Sequence, residues 1–177
     1  GMTCLDVGGN IGYYTLLESN IVGDSGKVIA IEPSPPNFQH LKKNLEIQYS
    51  KNVDAYNFAA GDKDGSVNFL VYKESNGSFT IPDGETTNLP GELIKVTAKR
   101  IDTFLDELKI NHVDFVRMDV EGYESHIIQG MKNTIKKSNP MFQIEVHASI
   151  LGKECTRKFL EDFQNYGYDA KYYIPRD

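Results

Sequence analysis

With 177 residues, 40% of them hydrophobic and 25% charged, the chain has the size and composition of one globular domain spanning residues 1–177. A net charge of −6 and a pI near 5.2 argue against a nucleic-acid backbone as its main partner. No apolar run is long enough to cross a bilayer, no signal-peptide pattern is present, and Cys4 and Cys155 are too few and too far apart for a zinc motif, so a cytoplasmic setting is the default expectation.

Thr3 to Val7 is a short apolar run of the kind that forms a buried parallel strand. Gly8, Gly9, Asn10 and Gly12 follow, and a helix is expected from about Ile11 to Ile21. A strand, a glycine turn and a helix N-terminus together aim free backbone N–H groups at a ligand. The spacing is neither that of a dinucleotide fingerprint, since Asn10 and Tyr13 stand where glycines are needed, nor that of a phosphate loop. Asp6, on the strand itself, repels a pyrophosphate but attracts an ammonium group. S-adenosylmethionine (SAM), with an amino-acid tail and no phosphate, therefore fits better than NAD. Val28 to Ile31 reads as the second strand, and Glu32 closes it at the interval expected of a ribose-binding acid.

Pro35 to Gln48 reads as a helix, with Phe38, Leu41 and Leu45 at helical spacing. Val53 to Ala60 is expected as a third strand, and Ser66 to Tyr72 as an alternating one. Lys73 to Glu92 holds three glycines and two prolines with little periodicity, which marks a candidate mobile loop over 73–92. Leu93 to Val96 is expected as a strand and Ile101 to Leu108 as a helix capped by Asp102. Val113 to Val120 is a strand, Gly122 to Lys137 a helix, Met141 to Val146 a strand, Thr156 to Tyr166 a helix and Tyr168 to Ile174 a terminal strand. This alternation specifies an α/β fold, Rossmann-like and doubly wound around a mostly parallel sheet.

Two strands are unusually polar. Arg117, Asp119 and Glu121 share one side by period-two alternation, as do Gln143, Glu145 and His147. Buried groups of this kind must meet each other, a ligand or water. The deeper pair, Arg117 with Glu145, is expected to bridge neighbouring strands. Asp119, Glu121 and His147 fall beyond the carboxyl ends, where open α/β sheets bind ligands. His147 is the expected general base, Asp119 positions acceptor or cofactor, and Glu121 contributes less. Asp119, Glu145 and His147 match a metal site in ligand type, but no close-spaced motif supports one, and no metal is expected. His40, His112 and His126 are expected at the surface.

Residues 1–14, Val28 to Pro33, Ala59 to Gly65 and above all Arg117-Met118-Asp119-Val120-Glu121-Gly122-Tyr123-Glu124 resemble the FkbM-type SAM-dependent methyltransferases. The last stretch looks like that family's Lys-Ile-Asp-Val-Glu-Gly-x-Glu motif. The resemblance implies a class I methyltransferase fold, SAM as donor, and oxygen methylation of a hydroxyl on a sugar, glycolipid or polyketide-like acceptor. By position, Asp6 and the backbone from Gly8 to Gly12 should hold the methionine end, Glu32 the ribose, and Asp62 the adenine. Gly9 stands where the family often has alanine. The chain opens directly at its first strand, so a missing N-terminal segment is also expected. A nicotinamide oxidoreductase and a non-catalytic SAM-binding interaction domain are the alternatives.

Overall fold

The computed structural model describes residues 1–72, 78–82, 84, 87 and 90–169, and of residues 148–151 the backbone alone. Five parallel strands form the central sheet in the order β3 (Val53–Tyr56), β2 (Lys27–Ile31), β1 (Thr3–Val7), β8 (Phe115–Met118) and β9 (Met141–Ile144). The apolar runs are continuous because both faces of the sheet are covered. Leu5, Val7, Ile29, Ile31, Val116 and Met118 are all essentially solvent-free. Helices α1 (Tyr13–Val22) and α2 (Pro35–Ile47) carry the chain outward from β1 to β3. The chain then returns to the other side of β1 through β8. The strand order therefore reverses between β1 and β8, and ligands of doubly wound sheets bind at such a switch point.

A second sheet departs from the single one expected. The third strand breaks in two after Tyr56. Asn57 donates its side-chain amide to the carbonyls of Glu32 and Pro33, and Phe58 turns into the core against Phe104, with ring centroids 4.7 Å apart. The continuation, β4 (Ala59–Gly61), joins β7 (Glu92–Arg100), β5 (Gly65–Val71) and β6 (Phe79–Ile81) in the order β4-β7-β5-β6. Only the β4–β7 pairing is parallel. Val67, Phe69, Val96, Ala59 and Ala98 give this sheet its own small core. The candidate loop 73–92 thus contains a strand, β6; most of its remaining residues lie outside those described, as do residues 170–174 of the expected terminal strand 168–174.

Three helix expectations also change. The helix expected over 122–137 is two, α4 (Glu124–Gly130) and α5 (Lys132–Ser138), because Met131 leaves helical geometry at φ −126° to sit fully buried in the core. Asp102 does not cap its own helix, α3 (Ile101–Glu107), whose N-cap is Arg100. Its carboxylate instead accepts the N–H groups of Asn133 and Thr134 and the Thr134 hydroxyl, satisfying the orphan donors at the start of α5. Helix α6 (Ala148–Asn165) begins earlier than periodicity suggests and kinks at Gly152. Cys4 is the small buried hydrophobe expected, its thiol pushed up to about 11 chiefly by burial.

Candidate functional site

The loop after β1 is tied down by its own backbone. Gly8 and Gly9 both donate their N–H groups to the Ile31 carbonyl, at 2.9 and 3.0 Å, and Gly12 donates to the Gly9 carbonyl. Asn10 donates its N–H to Glu32 Oε2, and Ser34 donates to Glu32 Oε1, both at 2.8 Å. These N–H groups are therefore spent within the protein, where the sequence suggested they would be free for a ligand. Two other features face outward chemically. The side-chain oxygen Oδ1 of Asn10 is buried with no hydrogen-bond partner among the described residues. Glu32 is 4% exposed, and burial pushes its carboxyl up to about 7 against the two backbone hydrogen bonds. An acid held so high gains from hydroxyl donors, which a ribose diol supplies. A buried acceptor without a donor and an acid raised by burial are the polar groups this loop holds toward a ligand.

Asp6 has a different place from the one expected of it. It is fully buried; Oδ2 accepts from Thr15 Oγ1 at 2.5 Å and Oδ1 from Arg117 Nη1 at 3.1 Å. Burial pushes its carboxyl up, and the Arg117 guanidinium opposes this. Arg117 is opposite Asp6 in the β1–β8 register, lies with its guanidinium carbon 4.0 Å from the Tyr14 ring centroid, and gives its other nitrogen to Asp119 Oδ2 at 2.9 Å. The Arg117–Glu145 bridge expected from alternation is therefore replaced by an Asp6–Arg117–Asp119 chain. Asp62 accepts instead from His126 Nδ1 at 3.1 Å, and His126 is stacked on Tyr123.

Asp119, Glu121 and His147 do come together, as alternation and strand ends suggested. His147 follows β9 and has four carboxylates around it. Glu124 Oε1 is 3.1 Å from Nδ1, while Glu121 Oε2, Asp119 Oδ1 and Glu145 Oε1 lie 3.2, 3.8 and 3.9 Å from Nε2. Glu121 reaches the cluster from a left-handed backbone, φ +54°, just before Gly122. The hydrogen bond to Glu124, helped by the charges of Glu121, Glu124 and Asp119, raises the imidazole to about 8 despite its burial. His147 thus holds its proton more tightly than an ordinary imidazole, which weakens it as the general base expected from sequence. Burial raises Glu121 above the usual carboxylate range, with His147 opposing. Glu124, Thr15 and Tyr14 were not singled out from sequence. Only Glu124 had a signal, its place at the end of the Asp119–Glu124 motif.

These shifts set the sign of the pH dependence. Glu32 at about 7 and a second buried acid, Glu18 at about 8, hold protons in the folded state that the unfolded chain releases near 4.5. Their contribution is complete below that lower value and is lost as pH rises through 7 and 8. The raised His147 acts in the same direction over its own interval, 6.5 to about 8. The ligand-free protein should therefore melt roughly 5 °C or more lower at pH 8.5 than at pH 5.5, because one proton over one pH unit is about 1.36 kcal/mol and 1 kcal/mol is roughly 2–4 °C at this size. Glu18→Gln should flatten the slope; a Tm that stayed level or rose with pH would contradict the assignment.

Comparison with known proteins places this geometry. The chain is 27% identical over 143 residues to Methyltransferase 1 of Beauveria bassiana and 26% identical over 158 residues to the hexuronic acid methyltransferase AglP of Haloferax volcanii. These matches cover 72% and 88% of this chain but 57% and 60% of those relatives. The chain therefore spans less than two thirds of the curated relatives it matches. In fold it superposes on the methyltransferase FkbM from Methylobacillus flagellatus with a TM-score of 0.62 at 18% identity, covering 91% of this chain and 37% of that one. A SAM-dependent methyltransferase from Aquifex aeolicus gives 0.50 at 19% identity, covering 94% and 71%. The fold is that of the class I SAM-dependent methyltransferases. With the model of the methyltransferase FkbM domain matching residues 6–170, this chain belongs to the FkbM methyltransferase family, for which SAM is the methyl donor.

Proposed function

We propose that this domain transfers the methyl group of SAM to a hydroxyl oxygen of a sugar or sugar-like acceptor. The observation that carries this reading is the shared wall between the glycine loop and the cluster at the ends of β8 and β9. Gly8 lies so close to the backbone of Asp119 that a Cβ there would be 2.0 Å from the Asp119 carbonyl oxygen. A cofactor on the loop and an acceptor at the cluster are thereby neighbours. Asn10 Oδ1 takes a donor from the methionine end, and Glu32 takes the ribose hydroxyls. Asp6 acts through Arg117 and Thr15 rather than by touching the ligand. An adenine contact from Asp62 has to compete with His126.

SAM supplies an electrophilic methyl on a sulfonium, so alignment is the larger part of what the protein provides. The acceptor oxygen bonds to the methyl carbon as the carbon–sulfur bond breaks, and the hydroxyl proton passes to a base. We assign that base to Glu121 rather than His147. The imidazole already carries a proton, whereas a carboxylate lifted by burial is a better acceptor than an ordinary one. The Haloferax relative, by name a hexuronic acid methyltransferase, supports a sugar as the acceptor class. Family membership sets aside the nicotinamide oxidoreductase.

Transfer of labelled methyl from SAM to a panel of hydroxylated glycans and lipids, beside calorimetric titration with S-adenosylhomocysteine (SAH), tests this reading. Label is expected on sugar hydroxyls. Glu32→Ala should weaken SAH binding by about 1–3 kcal/mol, the scale of a hydrogen bond to a charged group. Tight SAH binding with no transfer to any acceptor would favour a non-catalytic binding domain; no SAH binding at all would remove the cofactor site.

A further inference from the structure

One imidazole among four carboxylates is an unusual concentration of negative charge. The Arg117 guanidinium pairs with Asp119 and also serves the buried Asp6. Asp119, Glu145 and His147 each offer one ligand atom, and these atoms all lie within 4.8 Å of one another. Their side chains are 27%, 34% and 16% exposed, so the cluster is open on the side an acceptor would use. Behind the ring, Glu124 is wholly buried. One of its oxygens faces His147 Nδ1 and also accepts the Gly122 N–H, and the other is buried with no partner among the described residues. A buried carboxylate that is only half satisfied by the protein is an open hydrogen-bonding position directly behind the ring.

The geometry points to a divalent-cation site formed by Asp119, Glu145 and Nε2 of His147, with Glu124 as the buried carboxylate that orients the imidazole. A histidine that ligates a metal through one nitrogen donates the other N–H to just such a carboxylate. Two carboxylate oxygens and one imidazole suit a first-row divalent ion such as Mn²⁺ better than Ca²⁺, which takes six to eight oxygens. The site deepens the proposed methyl transfer and rests on it for its role. A cation bound there would hold the acceptor hydroxyl oxygen and make its proton more acidic. That proton goes to Glu121, which stands outside the ligand set. The oxygen–methyl bond forms as the carbon–sulfur bond breaks, leaving the methyl ether and SAH. The ligands come from the ends of two strands and are separated by 26 residues of chain, which is why no close-spaced motif announced them.

Titration of MnCl₂ into the chelator-treated protein, followed by calorimetry and by water-proton relaxation, tests the site. One Mn²⁺ should bind with a Kd below about 1 mM, within the range of divalent-cation sites. Asp119→Asn and Glu145→Gln should each weaken it roughly 10-fold or more. Glu124→Ala should weaken it about 10–100-fold, as loss of a carboxylate that orients a metal ligand does. SAH affinity should hold in Glu145→Gln, and Glu121→Gln should still bind Mn²⁺. Absence of saturable Mn²⁺ binding, or binding that survives both ligand substitutions, would overturn the proposal. SAH titration of the unsubstituted protein judges the cofactor reading separately, so failure of one is distinguishable from failure of the other.

Discussion

His147→Ala is expected to lower kcat roughly 10²–10⁴-fold while leaving SAH affinity unchanged. The ring contacts Glu124 through Nδ1 and faces Glu121, Asp119 and Glu145 through Nε2, so its removal takes away the one group that all four carboxylates face. Cofactor affinity should survive, because the contacts assigned to SAM are Asn10 and Glu32, on the far side of β1. Glu121→Gln should cause a loss of the same order through a different cause. It removes the proton acceptor yet keeps the size and shape of the side chain. The two variants separate by Mn²⁺ binding, which His147→Ala should lose and Glu121→Gln should keep. Near-normal turnover in Glu121→Gln would take the base role away from Glu121 and pass it to another carboxylate facing the ring, Asp119 first. Near-normal turnover in His147→Ala would remove the cluster from the reaction.

Gly8→Val should abolish SAH binding and lower stability by about 3 kcal/mol or more, the range reserved for forced backbone and packing conflicts. Gly8 has φ +88°, a conformation that a β-branched residue rarely adopts. The new Cβ would also meet the Asp119 carbonyl oxygen at 2.0 Å, and Asp119 is held against β1 by the hydrogen bond from its N–H to the Val7 carbonyl at 3.0 Å. Neither side can give without opening the β1–β8 junction. Gly9→Ala is the paired control. Gly9 lacks a positive φ, and its Cβ would approach Thr15 Oγ1 at 3.2 Å, a contact a small shift can relieve. Calorimetry and thermal melts on both variants check it; equal tolerance of the two substitutions would show that the loop does not press on Asp119.

Local pattern was enough to place most of the elements. Period-two alternation and continuous apolar runs located β1, β2, β5, β8 and β9 to within a few residues, because a strand's faces are set by its own side chains. The glycine loop and Glu32 were likewise readable, since the backbone turn and the acid at the end of β2 sit within one βαβ unit. Alternation also put Asp119 with Glu121, and Glu145 with His147, on common faces. It could not say which strand lay beside which. Strand order is a property of pairings far apart in the chain. Asp6 and Arg117, 111 residues apart, met only because β8 crosses back to lie against β1 in the register that sets them opposite. That crossing turned Asp6 from an expected ligand contact into a buried anchor. The break at Asn57, which sent β4 into a second sheet, was equally invisible, since it depends on carbonyls of Glu32 and Pro33 that the chain reaches only after folding. The charge state of His147 belongs to the tertiary structure for the same reason. Asp119, Glu121 and Glu124, from the turn after β8 and the start of α4, raise its affinity for a proton, and they meet the ring only because β9 lies beside β8.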